Sequence, residues 1–119
     1  MEAQRVVATA SVRMTIEWQV PLGQARPITM ALQSLSADVR AERGCAGSSV
    51  STELAHGVTL RYVEDWQTEE DLRAHLRSDV FGRVMALVEA AIQPPRVEFA
   101  LPGGARGLDY IAEVRQSTV

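Results

Sequence analysis

Four side chains that could carry out acid–base chemistry or bind an aromatic ligand lie between Tyr62 and His75. Tyr62, Glu64 and Trp66 alternate along a run of strand-forming residues, so they share one face of the predicted strand. His75 follows Leu72 by three residues, at the edge of an apolar helical stripe. An imidazole there could donate, accept or take up a proton at the wall of a mostly apolar cavity. We therefore predict that His75 is the catalytic group, and that Tyr62, Glu64 and Trp66 bind the substrate.

Each of these residues also has a structural interpretation. Trp and Tyr on the inner face of a sheet are more often core residues than ligand contacts. His75 could be a boundary histidine with a single hydrogen bond, and Glu64 could mark the point where the strand meets solvent. Trp18 lies on the apolar face of the first predicted strand and is a further candidate for substrate binding.

The remaining candidates for nucleophiles and metal ligands are few. Cys45 is the only cysteine, so an internal disulfide cannot form, which fits a reducing compartment. Its small neighbours favour a buried small hydrophobe over a nucleophile. His56, in a predicted hairpin turn, is interpreted as a solvated surface residue. Cys45, His56 and His75 are too dispersed to form a metal site, so we expect no metal.

The composition limits the classes of protein to which the chain can belong. The 119 residues fit one domain, and a net charge of −3 argues against a nucleic-acid partner. No apolar run approaches the roughly 20 residues that span a bilayer. The first residues lack the basic start and apolar centre of a signal peptide. We therefore expect a cytoplasmic protein with neither nucleic acid nor membrane as partner.

Hydrophobic periodicity predicts the element order β-α-β-β-α-β, the ferredoxin-like α+β fold with a four-stranded antiparallel sheet and both helices on one face. The first helix is expected to begin at Pro27. The second is expected to follow the Thr68 capping box as one helix bent at Gly82. Residues 1–101 form the predicted domain and residues 102–119 its C-terminal extension, with 108–115 either a strand or a helix. The predicted strands are 6–20, 48–54, 58–66 and 96–101.

The face of the sheet opposite the helices is predicted to be polar. From the pattern alone this face could be solvated, or it could form a charged, hydrogen-bonded dimer interface. Its predicted residues are Arg13, Thr15, Glu17, Ser49, Ser51, Glu53, Arg61, Val63, Arg96 and Glu98.

Three stretches of the chain, GCAGSSVSTEL, RYVEDW and TEEDLRAHLRSDVF, resemble the antibiotic biosynthesis monooxygenase family. The family has a Gly-Cys-x-Gly entry to its second strand, a Trp at the end of the third, and a His-Leu-x-Ser step leading to a Phe. The resemblance covers most of residues 5–101. The matching positions are Gly44, Cys45, Gly47, Trp66, His75, Leu76, Ser78 and Phe81.

This resemblance implies a fold, an assembly and an activity. Members usually form homodimers in which two ferredoxin-like sheets meet as a dimeric α+β barrel, so the polar face would be the dimer face. Characterised members include cofactor-free oxygenases that oxidise phenols or quinols with dioxygen. We therefore expect a cofactor-independent monooxygenase acting on a small aromatic phenol or quinol. The alternative is a non-catalytic homodimeric module for small-molecule binding or stress response, its pocket small or filled by Trp18, Trp66 and Phe81.

Related haem-degrading monooxygenases provide a comparison for the Ser78–Phe81 step. Their haem-ligating His would fall on Met85, and their upstream Trp on His75. They also use an Asn on the first strand, whereas this chain contains no Asn. The resemblance therefore predicts that haem is not the cofactor.

Overall fold

The computed structural model describes residues 12–55 and 57–117, which form a five-stranded antiparallel sheet and four helices. The strand order is β2-β3-β1-β4-β5. The predicted ferredoxin-like fold is confirmed, with five strands rather than four because β5 folds back onto β4. The elements are β1 (Val12–Val20), α1 (Leu22–Arg40), β2 (Cys45–Glu53), β3 (Val58–Trp66), α2 (Glu69–Leu76), α3 (Asp79–Val88), β4 (Arg96–Leu101), β5 (Gly104–Arg106) and α4 (Asp109–Gln116).

The core lies between the sheet and the helices. Every second residue of β1, from Val12 to Val20, is buried, while the residues between them are partly or fully exposed. β3 pairs with β1 over its whole length and buries the same face, from Val58 to Trp66. This period of two places one side of each strand against the helices, as the sequence predicts. Residues 6–11 of the predicted first strand, and His56, lie outside the described residues.

The outer face of the sheet is polar and carries ion pairs between neighbouring strands. Arg13 contacts Asp65 at 2.7 Å, and Glu17 contacts both Arg61 at 3.3 Å and Arg96 at 3.5 Å. Exposed pairs of this kind contribute about 0–1 kcal/mol each. They therefore influence which surface can meet this face more than they stabilise the fold.

Helix α1 begins at Leu22, so the prediction that it starts at Pro27 is wrong. Pro27 lies inside the helix and cannot donate one backbone hydrogen bond. The turn before it is nevertheless helical, and Ala25 in that turn packs against the core. Local sequence signals do not reveal such a tertiary contact.

The region predicted as one helix bent at Gly82 is two helices. α2 ends at Leu76, and the Ser78 hydroxyl accepts a hydrogen bond from the Phe81 backbone N–H at 3.2 Å, capping α3. The same hydroxyl donates to the His75 carbonyl at 2.6 Å. Ser78 therefore ends one helix and begins the next, and Gly82 lies inside α3.

Residues after β4 form β5 and α4, which settles the open choice between strand and helix for most of 108–115 in favour of helix. Tyr110 of α4 packs against Phe99 with ring centroids 4.8 Å apart. Its hydroxyl donates to Oε2 of Glu69 at 2.6 Å. α4 is thus attached to both β4 and α2. The division of the chain at residue 101 stays a prediction.

Two glycines with positive φ provide a matched test of the turn that leads into β2. Gly44 has φ 84°, and a Cβ there would overlap the Asp71 carboxyl group. Gly57 has φ 112°, and a Cβ there meets open space. Gly57→Ala should lower the free energy of unfolding by about 1–2 kcal/mol, the strain of a left-handed residue.

Gly44→Ala should lower the free energy of unfolding by at least about 1 kcal/mol more than Gly57→Ala does, because its Cβ overlaps the Asp71 carboxyl group in addition to the same backbone strain. Urea denaturation of both variants measures the difference. Equal losses would show that Asp71 moves aside freely.

Candidate functional site

Glu64 lies on the helix-facing side of β3 and is completely buried. The interpretation that it marks the solvent-exposed end of the strand is therefore wrong. β3 continues to Trp66, which is also fully buried, and α2 contacts β3. A carboxylate in this position must be satisfied by protein groups, because burying an unpaired charge is costly.

Three donors satisfy the Glu64 carboxylate. The Tyr62 hydroxyl donates to Oε2 at 2.5 Å, and the Trp66 indole N–H donates to Oε1 at 3.0 Å. Nε2 of His75 lies 2.8 Å from Oε2. Two of the donors come from the same face of β3 and the third from α2. The four residues that the sequence singled out between positions 62 and 75 therefore form one hydrogen-bonded cluster.

A second carboxylate contacts His75 from the other side. Nδ1 of His75 lies 2.8 Å from Oε1 of Glu42, in the turn that follows α1. Burial opposes a charged imidazole, but the hydrogen bonds and charges of Glu64 and Glu42 outweigh it and raise the pKa of His75. The interpretation of His75 as a boundary residue with a single hydrogen bond is wrong.

Aromatic rings enclose the imidazole. The ring of Trp66 lies 4.8 Å from the His75 ring between centroids, and the ring of Phe81 lies 5.5 Å away in an edge-on arrangement. The break between α2 and α3 allows both His75 and Phe81 to reach this position. His75 is thereby fixed in orientation by two carboxylates and two rings.

Tyr62 is a donor that retains its proton. Burial, followed by the charge of Glu64, raises the pKa of Tyr62 far above its ordinary range. Its hydroxyl also lies 3.4 Å from Oγ of Ser48, which contacts Oγ of Ser36 at 2.6 Å. Arg40 donates to Ser36 at 3.0 Å. The polar network thus continues from the cluster to the C-terminal end of α1.

The predicted aromatic cavity is filled by its own side chains. Tyr62, Glu64 and Trp66 are each 0% exposed, so no water-sized space adjoins them. A depression of about 450 Å³ opens instead beside the cluster. It is lined by Glu42, Arg43, Glu70, Asp71, Ala74 and His75. Its volume is within the range of small-molecule sites.

Trp18 does not belong to this cluster. It pairs in register with Leu60, whereas Trp66 pairs with Val12 at the other end of β1. Six positions separate Leu60 from Trp66, about 20 Å of strand. The Trp18 indole N–H is buried and has no hydrogen-bond partner among the described residues. Sequence parity placed Trp18 on the correct face but could not place it along the sheet.

Cys45 lies beside Trp66 in the pairing of β2 with β3. It is only half-buried, and burial raises the pKa of its thiol, so the thiolate is disfavoured. The residues that the structure describes contain no cluster of His, Cys, Asp and Glu able to hold a metal ion. None of the described helices is both long and apolar enough to cross a membrane.

Glu42, Ser36 and Ser48 were not predicted as site residues. Glu42 lies in a turn without periodicity, and the two serines resemble ordinary surface residues in the sequence. One indication was available: Glu42 precedes the Gly44-Cys45 entry to β2, and an antiparallel β2–β3 pair brings that entry to the end of β3, beside the start of α2.

Comparison with known proteins identifies the family. The sequence profile of the family described as antibiotic biosynthesis monooxygenase matches residues 11–87, more than half of the chain. The chain belongs to this family. No curated protein matches its sequence significantly.

Solved structures with the same fold are distant in sequence. A conserved protein from Methanosarcina mazei superposes with a TM-score of 0.69 at 24% identity, covering 79% of this chain and 94% of that one. A Bacteroides thetaiotaomicron protein of unknown function, described as a possible oxidoreductase, gives 0.66 at 19%, covering 76% and 95%. A structure described as an antibiotic biosynthesis monooxygenase gives 0.64 at 16%, covering 74% and 94%. At these identities the likeness shows the fold alone.

The raised pKa of His75 predicts how stability depends on pH. Below its ordinary value of 6.5, the imidazole is protonated in both folded and unfolded chains, and its contribution to stability is fully present. As the pH rises above 6.5 the unfolded chain releases the proton first. Stability should therefore fall until the pH has passed the folded-state pKa.

Urea denaturation across this range measures the decline. Glu42→Gln should shift the decline to lower pH, because it removes one of the two charges that raise the pKa. A His56→Gln background leaves His75 as the only imidazole, so NMR can follow its titration directly. A His75 pKa below 6.5 in this background would contradict the assignment.

Proposed function

We propose that this family member is a cofactor-independent monooxygenase that oxidises a small aromatic phenol or quinol with dioxygen. The observation that supports this best is the Glu42–His75–Glu64 line, which joins a surface depression to a buried, aromatic-walled cluster. Such a line can accept and return a proton while excluding water from most of its length. His75, the residue predicted from the sequence to be catalytic, is the centre of this proposed line.

The reaction requires only a proton acceptor and a bound phenol. Loss of the hydroxyl proton gives a phenolate, which is electron-rich enough to reduce dioxygen. One oxygen atom enters the ring carbon opposite the hydroxyl. The two hydrogen atoms lost by the phenol leave with the second oxygen atom as water, so the products are a quinone and water. The substrate supplies all the electrons.

The filled cluster restricts where the substrate can bind. The hydroxyl of Tyr62 and the indole N–H of Trp66 already donate to Glu64, so they can contact a substrate only if α2 moves away from β3. We propose that the substrate first occupies the depression beside His75. Tyr62, Glu64 and Trp66 then form the wall behind the imidazole. Trp18 is too distant to contact the same small molecule.

The non-catalytic alternative is supported by the same packing. Three fully buried side chains and His75 occupy the space that a ligand would need, and Phe81 closes one side. A homodimeric small-molecule-binding or stress-response module would use the cluster only to hold α2 on the sheet. The two proposals differ in whether the protein consumes dioxygen when a phenol or quinol is added.

Dioxygen consumption with a quinol and with an anthrone-like phenol tests the activity. The wild type should consume dioxygen faster than buffer, and His75→Gln should lose about 10²–10⁴-fold of the rate because it interrupts the Glu42–His75–Glu64 line. His56→Gln, a change to the other histidine, is the matched control and should retain the wild-type rate. A wild-type rate equal to that of buffer would support the non-catalytic module.

We propose further that the protein is a homodimer formed through the outer face of the sheet. Light scattering should then give twice the 13.0 kDa chain mass. Ser49→Arg places a bulky charge on the exposed outer face and should favour the monomer, whereas Ser34→Arg, on the exposed side of α1, should not. A wild-type mass of one chain would refute this assembly.

A further inference from the structure

We propose that Glu42 is the residue that takes the proton from the substrate hydroxyl, and that His75 is a positioning residue behind it. This inference rests on the proposed oxygenase function. It assigns the proton-accepting atom to a residue of the α1–β2 turn, away from the helix that carries His75.

Neither ring nitrogen of His75 is free to form a hydrogen bond with a substrate. Its side chain is 0% exposed, and both ring nitrogens lie 2.8 Å from carboxylate oxygens. The rings of Trp66 and Phe81 cover it from two sides. A phenol could reach either nitrogen only by displacing Glu42 or Glu64.

The Glu42 carboxylate, in contrast to the His75 ring, is accessible from the depression. It is 27% exposed and lines the depression, while its Oε1 contacts His75. Its other oxygen, Oε2, is not the atom that contacts His75. One side of this carboxylate is thus held by the imidazole and the other remains available to a ligand.

The charges around Glu42 fit this role. Glu70 and Asp71 share the depression, and Arg43 supplies a cation that can hold the phenolate. Unlike Glu70 and Asp71, Glu42 hydrogen-bonds to the His75 ring. Glu42 is therefore distinguished from them by its contact with the buried cluster.

The proton transfers balance through Glu42 alone. The substrate O–H bond breaks, and its proton passes to Oε2 of Glu42, leaving a phenolate. Dioxygen adds to the ring carbon of the phenolate and gives a peroxide anion. Glu42 returns the proton to form the hydroperoxide. Glu42 then takes the ring C–H proton as the O–O bond breaks and gives it to the departing hydroxide, so that the carbonyl and water form. His75 keeps its protons throughout and fixes the direction of the carboxylate.

Glu42→Gln and Glu89→Gln provide a matched test, because both remove one negative charge but only Glu42 lines the depression; Glu89 is exposed at the end of α3. Glu42→Gln should lower kcat by about 100-fold or more, since an amide cannot take the proton. Its oxygen can still accept from Nδ1 of His75, so the thermal unfolding curve should remain cooperative. Glu89→Gln should stay within about twofold of the wild type.

Chemical rescue separates proton transfer from a structural role. Glu42→Ala opens space beside His75, and added formate should restore part of its dioxygen consumption, with a pH dependence that follows the added acid. No rescue, together with a wild-type rate in Glu42→Gln, would overturn the assignment. If His75→Gln were inactive in that case, the oxygenase proposal would survive without Glu42. A wild type no faster than buffer would overturn both.

Discussion

The buried carboxylate of Glu64 is the constraint on which the rest of the site depends. An isolated charge in a protein interior costs several kcal/mol, and removing one partner of a buried pair costs about 3–5 kcal/mol. Tyr62, Trp66 and His75 supply the compensating donors. Tyr62 and Trp66 reach Glu64 only if the side chains of β3 alternate between the two faces of the sheet as far as Trp66. His75 reaches it only if α2 lies across the strand. The position of α2 is therefore determined by polar contacts as well as by apolar packing.

The division of the second helical region brings two rings together beside the sheet. His75 lies in the last turn of α2, and Phe81 lies in the first turn of α3. The Ser78 hydroxyl lies between them. It donates a hydrogen bond to the His75 carbonyl at the end of α2 and accepts one from the Phe81 N–H at the start of α3. The divided geometry lets imidazole and phenyl rings approach each other edge-on while both face the sheet.

The sequence predicted the ferredoxin-like order, the face of each central strand, and the family, because these follow from strong local periodicity and a spaced motif. It missed the start of α1 because Pro27, which resembles a first-turn proline in the sequence, lies inside the helix. It treated α2 and α3 as one helix because the apolar stripe resumes after Ser78, although Ser is itself a capping residue. Glu42 could not be found by periodicity, since its role arises only when the β2–β3 pairing brings a turn beside α2.

The separation of Trp18 from Trp66 gives the protein two independent optical reporters. Trp66 is in ring contact with His75 and donates to a carboxylate, so its emission depends on the charge state of the cluster. Trp18 lies at the opposite end of β1 in an apolar setting, and its N–H has no partner among the described residues. The tryptophan fluorescence of the folded chain is therefore the sum of two signals. The emission of Trp66 depends on the protonation of the cluster, and the emission of Trp18 depends on the packing of the core.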